Sequence, residues 1–376
     1  MTASGYVVAR VTPYVFRAPI AKPVVNAFGT MTNRPMALVA IEDRDGAVGW
    51  GEIWANFPVV GAEHRARLVA SVFTPLLVGK TVASPPDTYA QLARTIASQV
   101  LQTGESGPFS QCLAAIDQAL TDLAARRAGV PLWRYLGGSD PDVRVYASGL
   151  GPDGAEALAC VHWDLGFRAF KLKVGFGRER DLANLRALRG ALPAGATIMI
   201  DANQAWSPED AHAMLYVLRE HDLAWAEEPI AADQPFSTWQ SLARAAAPLR
   251  LAAGENLCSR ALLDDAIASQ AFGVLQPDIG KWGGFSEGLP IARRAAAAGL
   301  WHCPHWLAGG VGLAASLHLR AACGGEGLTE WDANPNPLRE IVPLPPVRNG
   351  RVTLTDAPGL GFVPDLGALA QYAVPC

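Results

Sequence analysis

Residues 167–203 read FRAFKLKVGFGRERDLANLRALRGALPAGATIMIDAN, and their rhythm decides the architecture. Two short apolar runs, FRAFKLKVG and ATIMIDAN, flank an alanine-, leucine- and arginine-rich stretch of helical character. Each run carries a polar residue near its end, Lys173 in the first and Asp201 in the second, 28 positions apart. A strand–helix unit of a closed parallel barrel takes roughly 30 residues. Downstream, LAWAEEP, LRLAAGEN, FGVLQPDIG, LWHCPHW and GLTEWD repeat the pattern, and VRVYASG precedes it. Eight strand candidates separated by helical text or shorter connectors predict an α/β fold of the (β/α) barrel type. A doubly wound open sheet is the rival, but no G-x-G-x-x-G follows any of these strands.

Upstream the text changes character. Residues 1–135 open with strand-like runs, GYVVARVTPYVFRAPI and PMALVAIEDRDGAVGWGEI, the second turned at its Asp-Gly. The polar segment Lys22–Arg34 between them reads as a loop. Helical runs follow, and the last, FSQCLAAIDQALTDLAARRAG, ends at Gly129 with Pro131 beyond. Strands followed by segregated helices predict an α+β unit. The expected organisation is residues 1–135 as that unit, 136–333 as the barrel, and 334–376 as a tail. The tail's RVTLTDAPGLGFV is expected to return to the first unit.

Composition excludes several classes. Of 376 residues half are hydrophobic and 18% charged, with a net charge of −4. That gives no basic stripe for nucleic acid and no polybasic membrane signal. An anionic substrate then needs local positive charge, from lysines or a metal. The first residues lack the pattern of a signal peptide, and no apolar run reaches the roughly 18 residues of a spanning helix. The six cysteines are scattered without a C-x-x-C pair, which fits free thiols in a reducing cytoplasm.

Seven polar residues mark the ends of successive strand candidates: Lys173, Asp201, Glu227, Glu255, Asp278, His305 and Glu330. Barrel enzymes place catalysis at that face. Asp201, Glu227 and Glu255 come from neighbouring strands, and three converging anions repel unless a cation joins them. All-oxygen ligation favours Mg2+, with Mn2+ as a substitute. Strand alternation admits only one of Glu227 and Glu228 to the centre and leaves the choice open. Lys171 and Lys173, two apart, project to one face. Lys171 is expected to bind an anionic substrate, and its charge with the metal to lower the pKa of Lys173 so that it serves as a base. Asp278 beside His305 would fix the imidazole tautomer for acid/base work. Glu330 is placed to hydrogen-bond an enolate oxygen. His302 is expected to face the other way and pack.

These residues lie in motifs that resemble the mandelate racemase subgroup of the enolase superfamily: GWGE, AAIDQALTDLAARRAGVPLWRYLGG, the K-x-K of FKLKVGFG, DANQAW, EEP, GEN, QPDIGKWGG, CPHW and LTEWDANPNP. The resemblance covers nearly the whole chain. It implies that Asp201, Glu227 and Glu255 are magnesium ligands, which selects Glu227 over Glu228. It further implies Lys173 as base on one face and His305, with Asp278, as acid/base on the other. Lys171 would lie near the substrate carboxylate, Asn203 would be a substrate-side contact, and Glu330 the acid near the enolate. Asp278 stands where the muconate-cycloisomerase subgroup places a second catalytic lysine, and Lys281, three residues later, is out of phase for that role. The first domain is implied to cap the barrel, completed by the C-terminal segment. Its loops Lys22–Arg34 and Trp54–Pro58, with Asn26 and Trp54 among them, would select the substrate. A homo-oligomer is implied as well.

The expected activity is abstraction of the proton α to a carboxylate, giving a metal-stabilised enediolate, in a sugar-acid dehydratase or sugar-lactone cycloisomerase. Asn26, Thr30, Thr32, Asn33, Arg34 and Asn56 suggest a polyol substrate. The alternatives are a racemase or epimerase of a 2-hydroxy acid and, more distantly, a non-catalytic barrel that binds sugar acids.

Overall fold

The computed structural model describes residues 5–26 and 29–375, the side chain of Asn26 excepted. Three long strands, β1 (Tyr6–Asn26), β2 (Gly29–Asp43) and β3 (Val48–Ile53), form an antiparallel sheet, with the short β4 (Thr81–Val82) on the far edge of β1. Within the Lys22–Arg34 segment, residues 22–26 and 29–34 are therefore strand rather than loop, and residues 27 and 28 lie outside the described residues. The β1–β2 ladder runs to the tip, pairing Val24 with Met31, Val25 with Thr30 and Asn26 with Gly29. β-Branched residues pair well in a ribbon; of its polar residues Thr30 and Thr32 are exposed, whereas Arg34 is buried.

Strand β2 is buried on both faces. Ala37, Val39 and Ile41 pack on the helices of this unit, while Met36, Leu38 and Ala40 pack toward the barrel. The helix Ser106–Arg127 is buried almost all round. It lies so close to β3 that a Cβ on Gly49 or Gly51 would fall about 2 Å from the carbonyl oxygens of Ala119 and Ala115. That contact explains the glycines of GWGE.

The remaining strands are β5 (Asp142–Leu150), β6 (Ala169–Lys173), β7 (Thr197–Asp201), β8 (Leu223–Glu227), β9 (Arg250–Ala253), β10 (Val274–Leu275), β11 (Trp301–His302), β12 (Thr329–Asp332) and β13 (Arg351–Thr353). Strands β5 to β11 pair in parallel in sequence order, and β12 pairs back on β5. Between β11 and β12, two backbone hydrogen bonds replace the ladder: His302 N to Glu326 O, 3.0 Å, and Glu330 N to Pro304 O, 3.3 Å. The tail's strand β13 pairs with barrel strand β5, and residues 359–362 return to the first unit, where Leu132 N donates to Gly359 O at 2.8 Å and Leu360 N to Asp122 Oδ1 at 2.7 Å; near the chain end Val374 N donates to Val15 O at 2.9 Å. No helix among the described residues is long and apolar enough to cross a membrane.

Alternation sorts the barrel's side chains. Phe170, Leu172, Ile198, Ile200, Ala226, Leu251 and Leu275 point outward to the helices. Tyr146, Ala169, Met199, Trp225, Ala252, Val274, Cys303 and Leu328 form a separate apolar cluster inside the barrel. Two residues further along their strands stand Ser148, Lys171, Asp201, Glu227, Gln276, His305 and Glu330, all buried. A period of two places these on the same interior face, one layer above an apolar plug.

Candidate active site

The ladder sets Lys173, Asp201 and Glu227 side by side at one height on β6, β7 and β8. Lys173 Nζ donates to Asp201 Oδ2 at 2.5 Å. Lys171, fully buried, donates to both oxygens of Glu227 at 2.8 and 2.7 Å and lies 2.8 Å from Glu330 Oε1. Gln276 Nε2 donates to Glu227 Oε2 at 2.5 Å. Asn203 donates its backbone and side-chain amides to Asp201 at 2.8 and 3.2 Å, which leaves its Oδ1 buried without a partner.

Glu255 follows β9 through Gly254, whose φ of +145° and whose approach to Gln276 N, 2.6 Å from where a Cβ would sit, admit no side chain. Its carboxylate lies 2.8 Å from His305 Nε2 and 3.2 Å from Lys281 Nζ. His305 Nδ1 lies 2.6 Å from Asp278 Oδ2, so Asp278 does hold the ring. Glu330 accepts from the Trp306 amide at 3.1 Å and from the Ser148 hydroxyl. His302 is buried on the other side of β11, and burial depresses its imidazole to about 3.

Electrostatics follow from these contacts. Burial opposes the Lys171 ammonium, but Glu227 and Glu330 outweigh it and hold its pKa well above the ordinary lysine value. Lys173 is likewise raised, because Asp201 outweighs burial. The expected lowering of Lys173 is thus not what this arrangement produces, since Asp201 spends its charge on that ammonium. His305 is held strongly protonated by Glu255 and Glu330 against its burial. Burial pushes Glu227 up to about 8, reinforced by Asp201. Glu330 is lowered, because Lys171 and His305 outweigh burial, so it stands as an anion that accepts hydrogen bonds.

Glu228 is bound by neighbouring side-chain amides. It accepts from Asn256 at 2.9 and 3.0 Å and from Gln204 at 2.7 Å. Lys281 was set aside by its phase, yet it is buried within the carboxylate cluster, with Nζ 4.7 Å from the centre of the Trp54 ring. Trp54 therefore touches the site through Lys281. Asn56 donates to Leu307 O, just past His305. The side chain of Asn26 lies outside the described residues.

The donor set suits a hard divalent cation. With every carboxylate ionised, Asp201, Glu227, Glu228, Glu255, Asp278 and Glu330 outnumber Lys171, Lys173, Lys281 and a protonated His305 by two charges among the described residues, and without a cation burial instead pushes Glu227 and Glu228 up to about 8. Asn203 Oδ1 adds an unpartnered buried oxygen beside Asp201. Among the described residues no three acidic, histidine or cysteine side chains converge as a ready cage. Each carboxylate is turned instead to its own cation, Asp201 to Lys173, Glu227 to Lys171, and Glu255 to His305 and Lys281.

Comparison with known proteins agrees with this geometry. The family described as "Enolase C-terminal domain-like" matches residues 155–368, and "Mandelate racemase / muconate lactonizing enzyme, N-terminal domain" matches residues 10–137. The chain belongs to the mandelate racemase subgroup of the enolase superfamily. It is 32% identical over 372 residues to D-galactarolactone cycloisomerase of Agrobacterium fabrum, covering 94% of this chain and 95% of that protein. A mandelate racemase/muconate lactonizing enzyme structure from Bordetella bronchiseptica RB50 matches at TM-score 0.92 and 47% identity, over 98% of this chain and all of that one, 100%. A racemase from Streptomyces coelicolor A3(2), solved with bound magnesium, matches at TM-score 0.87 and 27% identity, over 98% and 100% of the two chains. Other relatives are named as dehydratases and epimerases. As an enolase-superfamily chain with enzymes throughout its kin, this protein is an enzyme.

Within that superfamily, the two-residue step above the apolar plug is the signal that sequence spacing alone missed. It picks out Ser148 and also Gln276, which heads the QPDIGKWGG motif without having been given a role there. Glu52 of GWGE was also passed over. Its buried carboxylate accepts from Gly309 N at 2.5 Å and Gly312 N at 2.8 Å, at the start of the helix that follows β11.

Proposed function

We propose that this enzyme is a Mg2+-dependent sugar-acid dehydratase or sugar-lactone cycloisomerase that first removes the proton α to a substrate carboxylate. The observation that carries this reading is the opposition of two acid/base groups, Lys173 on β6 and the Asp278–His305 pair beyond β10 and β11, across one carboxylate cluster. Asp201, Glu227 and Glu255 would hold the cation, with Mn2+ as a substitute. When bound, it supplies the positive charge against which a substrate carboxylate and an enediolate are stabilised.

The chain's own residues do the rest. Lys171 receives a substrate carboxylate oxygen and keeps Glu330 ionised. Lys173 in its neutral form takes the α-proton on one face. His305, kept protonated and oriented by Asp278, delivers a proton on the other, to a departing hydroxyl or to carbon. Asn203, through its free Oδ1, accepts a substrate hydroxyl, and the Asn26 and Trp54 segments of the cap select the chain beyond it. The same opposed pair serves a racemase of a 2-hydroxy acid equally well, which is the second reading. Division of labour among residues 1–135, 136–333 and 334–376, and a cytoplasmic homo-oligomer, belong to the same proposal.

Mg2+-dependent exchange of the α-proton with solvent deuterium, followed by NMR across sugar acids, their lactones and aromatic hydroxy acids, tests it. Exchange with elimination or ring opening of a sugar acid is expected. Absence of exchange across the whole panel would leave only a binding barrel, and exchange that yields only inverted substrate would favour the racemase.

A further inference from the structure

Lys281 is buried in the carboxylate cluster, but no strand carries it there. A turn does. Asp278 Oδ1 accepts from the backbone amides of Gly280 at 2.7 Å and Lys281 at 3.0 Å, so the residue that orients His305 also folds the chain back over the site. The cap lies against that turn: a Cβ on Gly280 would fall 3.3 Å from Trp54 N and 2.5 Å from the Trp306 ring. From there the Lys281 ammonium meets three groups. It donates to Glu255 Oε1 and to Asn256 Oδ1, each at 3.2 Å, and lies 4.7 Å from the centre of the Trp54 ring. Trp54 follows β3 directly, and its loop is held by Arg65, which donates to Phe57 O at 3.3 Å and Gly61 O at 2.8 Å. The Arg65 guanidinium itself lies 6.0 Å from the same ring, which leaves Lys281 the nearer of the two cations.

An ammonium carries three donors and is costly to bury without partners. Glu255 is the one full charge among the three groups, and it is shared: its other oxygen, Oε2, lies 2.8 Å from His305 Nε2. With a divalent cation on Glu255, that carboxylate has less charge to offer Lys281, and the ammonium is repelled as well. The Asn256 carbonyl and the Trp54 face then remain. An indole face attracts an ammonium within about 6 Å of its centre, most strongly where water is excluded. The ring already stands at that distance, so Lys281 keeps a partner without moving. A lysine that only neutralised Glu255 would need no aromatic face from the other domain. We infer that Lys281 and Trp54 link the cap to the metal site, Lys281 yielding Glu255 to Mg2+ while the Trp54 ring holds the displaced ammonium. The inference rests on the metal-assisted reading above and deepens it, since a cap loop then helps set the affinity for the cation. Neither side chain touches the reacting atoms in this role; both are positioning residues.

The test is calorimetric titration of the substrate-free protein with Mg2+. Trp54→Leu is expected to weaken Mg2+ binding about tenfold, the scale of a desolvated cation–π contact, and Trp54→Phe, which keeps an aromatic face, less than about threefold. Lys281→Met removes the ammonium that opposes the cation and is expected to bind Mg2+ at least as tightly as the wild type. Adding Trp54→Leu to Lys281→Met should then change the affinity by less than about twofold, because the partner of the ring is gone. A Trp54→Leu protein with wild-type affinity overturns the inference. So does an equal loss from Trp54→Leu in the Lys281→Met background, the mark of a loop that acts by packing alone. Weaker Mg2+ binding by Lys281→Met itself also overturns it, by making Lys281 a mere brace for Glu255, and this comparison needs no Trp54 variant to fold. The reading beneath fails separately. A wild-type protein that binds no Mg2+ removes both, whereas Mg2+ binding with the Trp54–Lys281 coupling intact and no α-exchange in any acid removes the proton abstraction and leaves the link between cap and metal.

Discussion

The two halves of the barrel rim are held by different physics. On β6 to β8, Lys171, Lys173, Asp201 and Glu227 are fixed by one another, through buried ion pairs of 2.5 to 2.8 Å. The cap's hydrogen bonds gather on the other half, beyond β10, β11 and β12. Gln118 donates to Ile279 O at 3.1 Å, beside Asp278. Asp117 accepts from the amides of Phe285 and Ser286 at 2.7 and 3.0 Å. Glu52 holds Gly309 and Gly312, and Gly312 lies against the Trp306 ring so closely that a Cβ there would come within 2.0 Å of it. One half is therefore positioned by charge balance and the other by packing of a second domain. Lysine-side chemistry should respond to charge and metal, and histidine-side chemistry to the cap.

The strongest test removes each base in turn. Lys173→Met should abolish α-exchange on its own face, with kcat/KM falling about 10³- to 10⁴-fold. His305→Asn should abolish dehydration or inversion while sparing exchange driven by Lys173. Both are read by following exchange in the two α-epimers of one substrate. Equal loss from both epimers in both variants would break the two-sided picture. Next in size comes Glu52→Gln, which sets an amide NH2 against one of the two backbone donors. Exchange on the His305 face should fall about tenfold, the scale of one lost buried hydrogen bond, with a much smaller fall on the Lys173 face. Asp117→Asn, a cap latch remote from Trp306, is the comparison variant for stability alone, followed by Tm.

This division also explains what could be read in advance. Regular spacing made the barrel legible, because each strand–helix unit has nearly constant length and each strand ends in a chemically costly residue. Asp201, Glu227 and Glu255 stood out for that reason, as did His305. Gln276 did not, because a buried amide looks like any strand polar residue. Only its place two residues above Val274 in the plug reveals it. The Lys22–Arg34 ribbon was misread because its polar side chains suggest solvent, whereas its backbone pairs to the tip. The cap's grip on Gly309 and Gly312 involves residues 257 and 260 positions apart from Glu52, and nothing in local pattern encodes such a distance.

Gln276 sharpens the charge-held half. Its amide takes one oxygen of Glu227 and its Oε1 is left without a partner. Gln276→Leu should weaken Mg2+ binding about tenfold by leaving Glu227 less firmly oriented, in line with the effect of outer-sphere partners on metal affinity. Calorimetric titration with Mg2+ measures this without substrate. Unchanged affinity would mean that Lys171 alone orients Glu227.

The smallest expected effect tests the clamped half through acid. His318, on the helix Gly310–Cys323 behind β11, accepts from Trp133 N through Nδ1 at 3.0 Å, and its Nε2 lies 3.4 Å from Leu360 O. That pair of contacts needs a neutral ring, since protonated Nδ1 would point a second donor at an amide. Burial accordingly holds the imidazole down at about 4. With the folded value below the unfolded one of about 6.5, the unfolded chain binds the extra proton between them. Stability from this group is complete above about pH 6.5 and is lost progressively as pH falls toward 4, up to about 3 kcal/mol. His318→Asn keeps an acceptor for the Trp133 amide and removes the titration, so the fall of Tm between pH 6.5 and 4 should become shallower. His302 and His162, also lowered by burial, add to the same slope. An unchanged Tm profile in His318→Asn would show that the helix behind β11 is not where acid first loosens the molecule, and that the cap's grip on the histidine half outlasts the protonation of the ring beneath it.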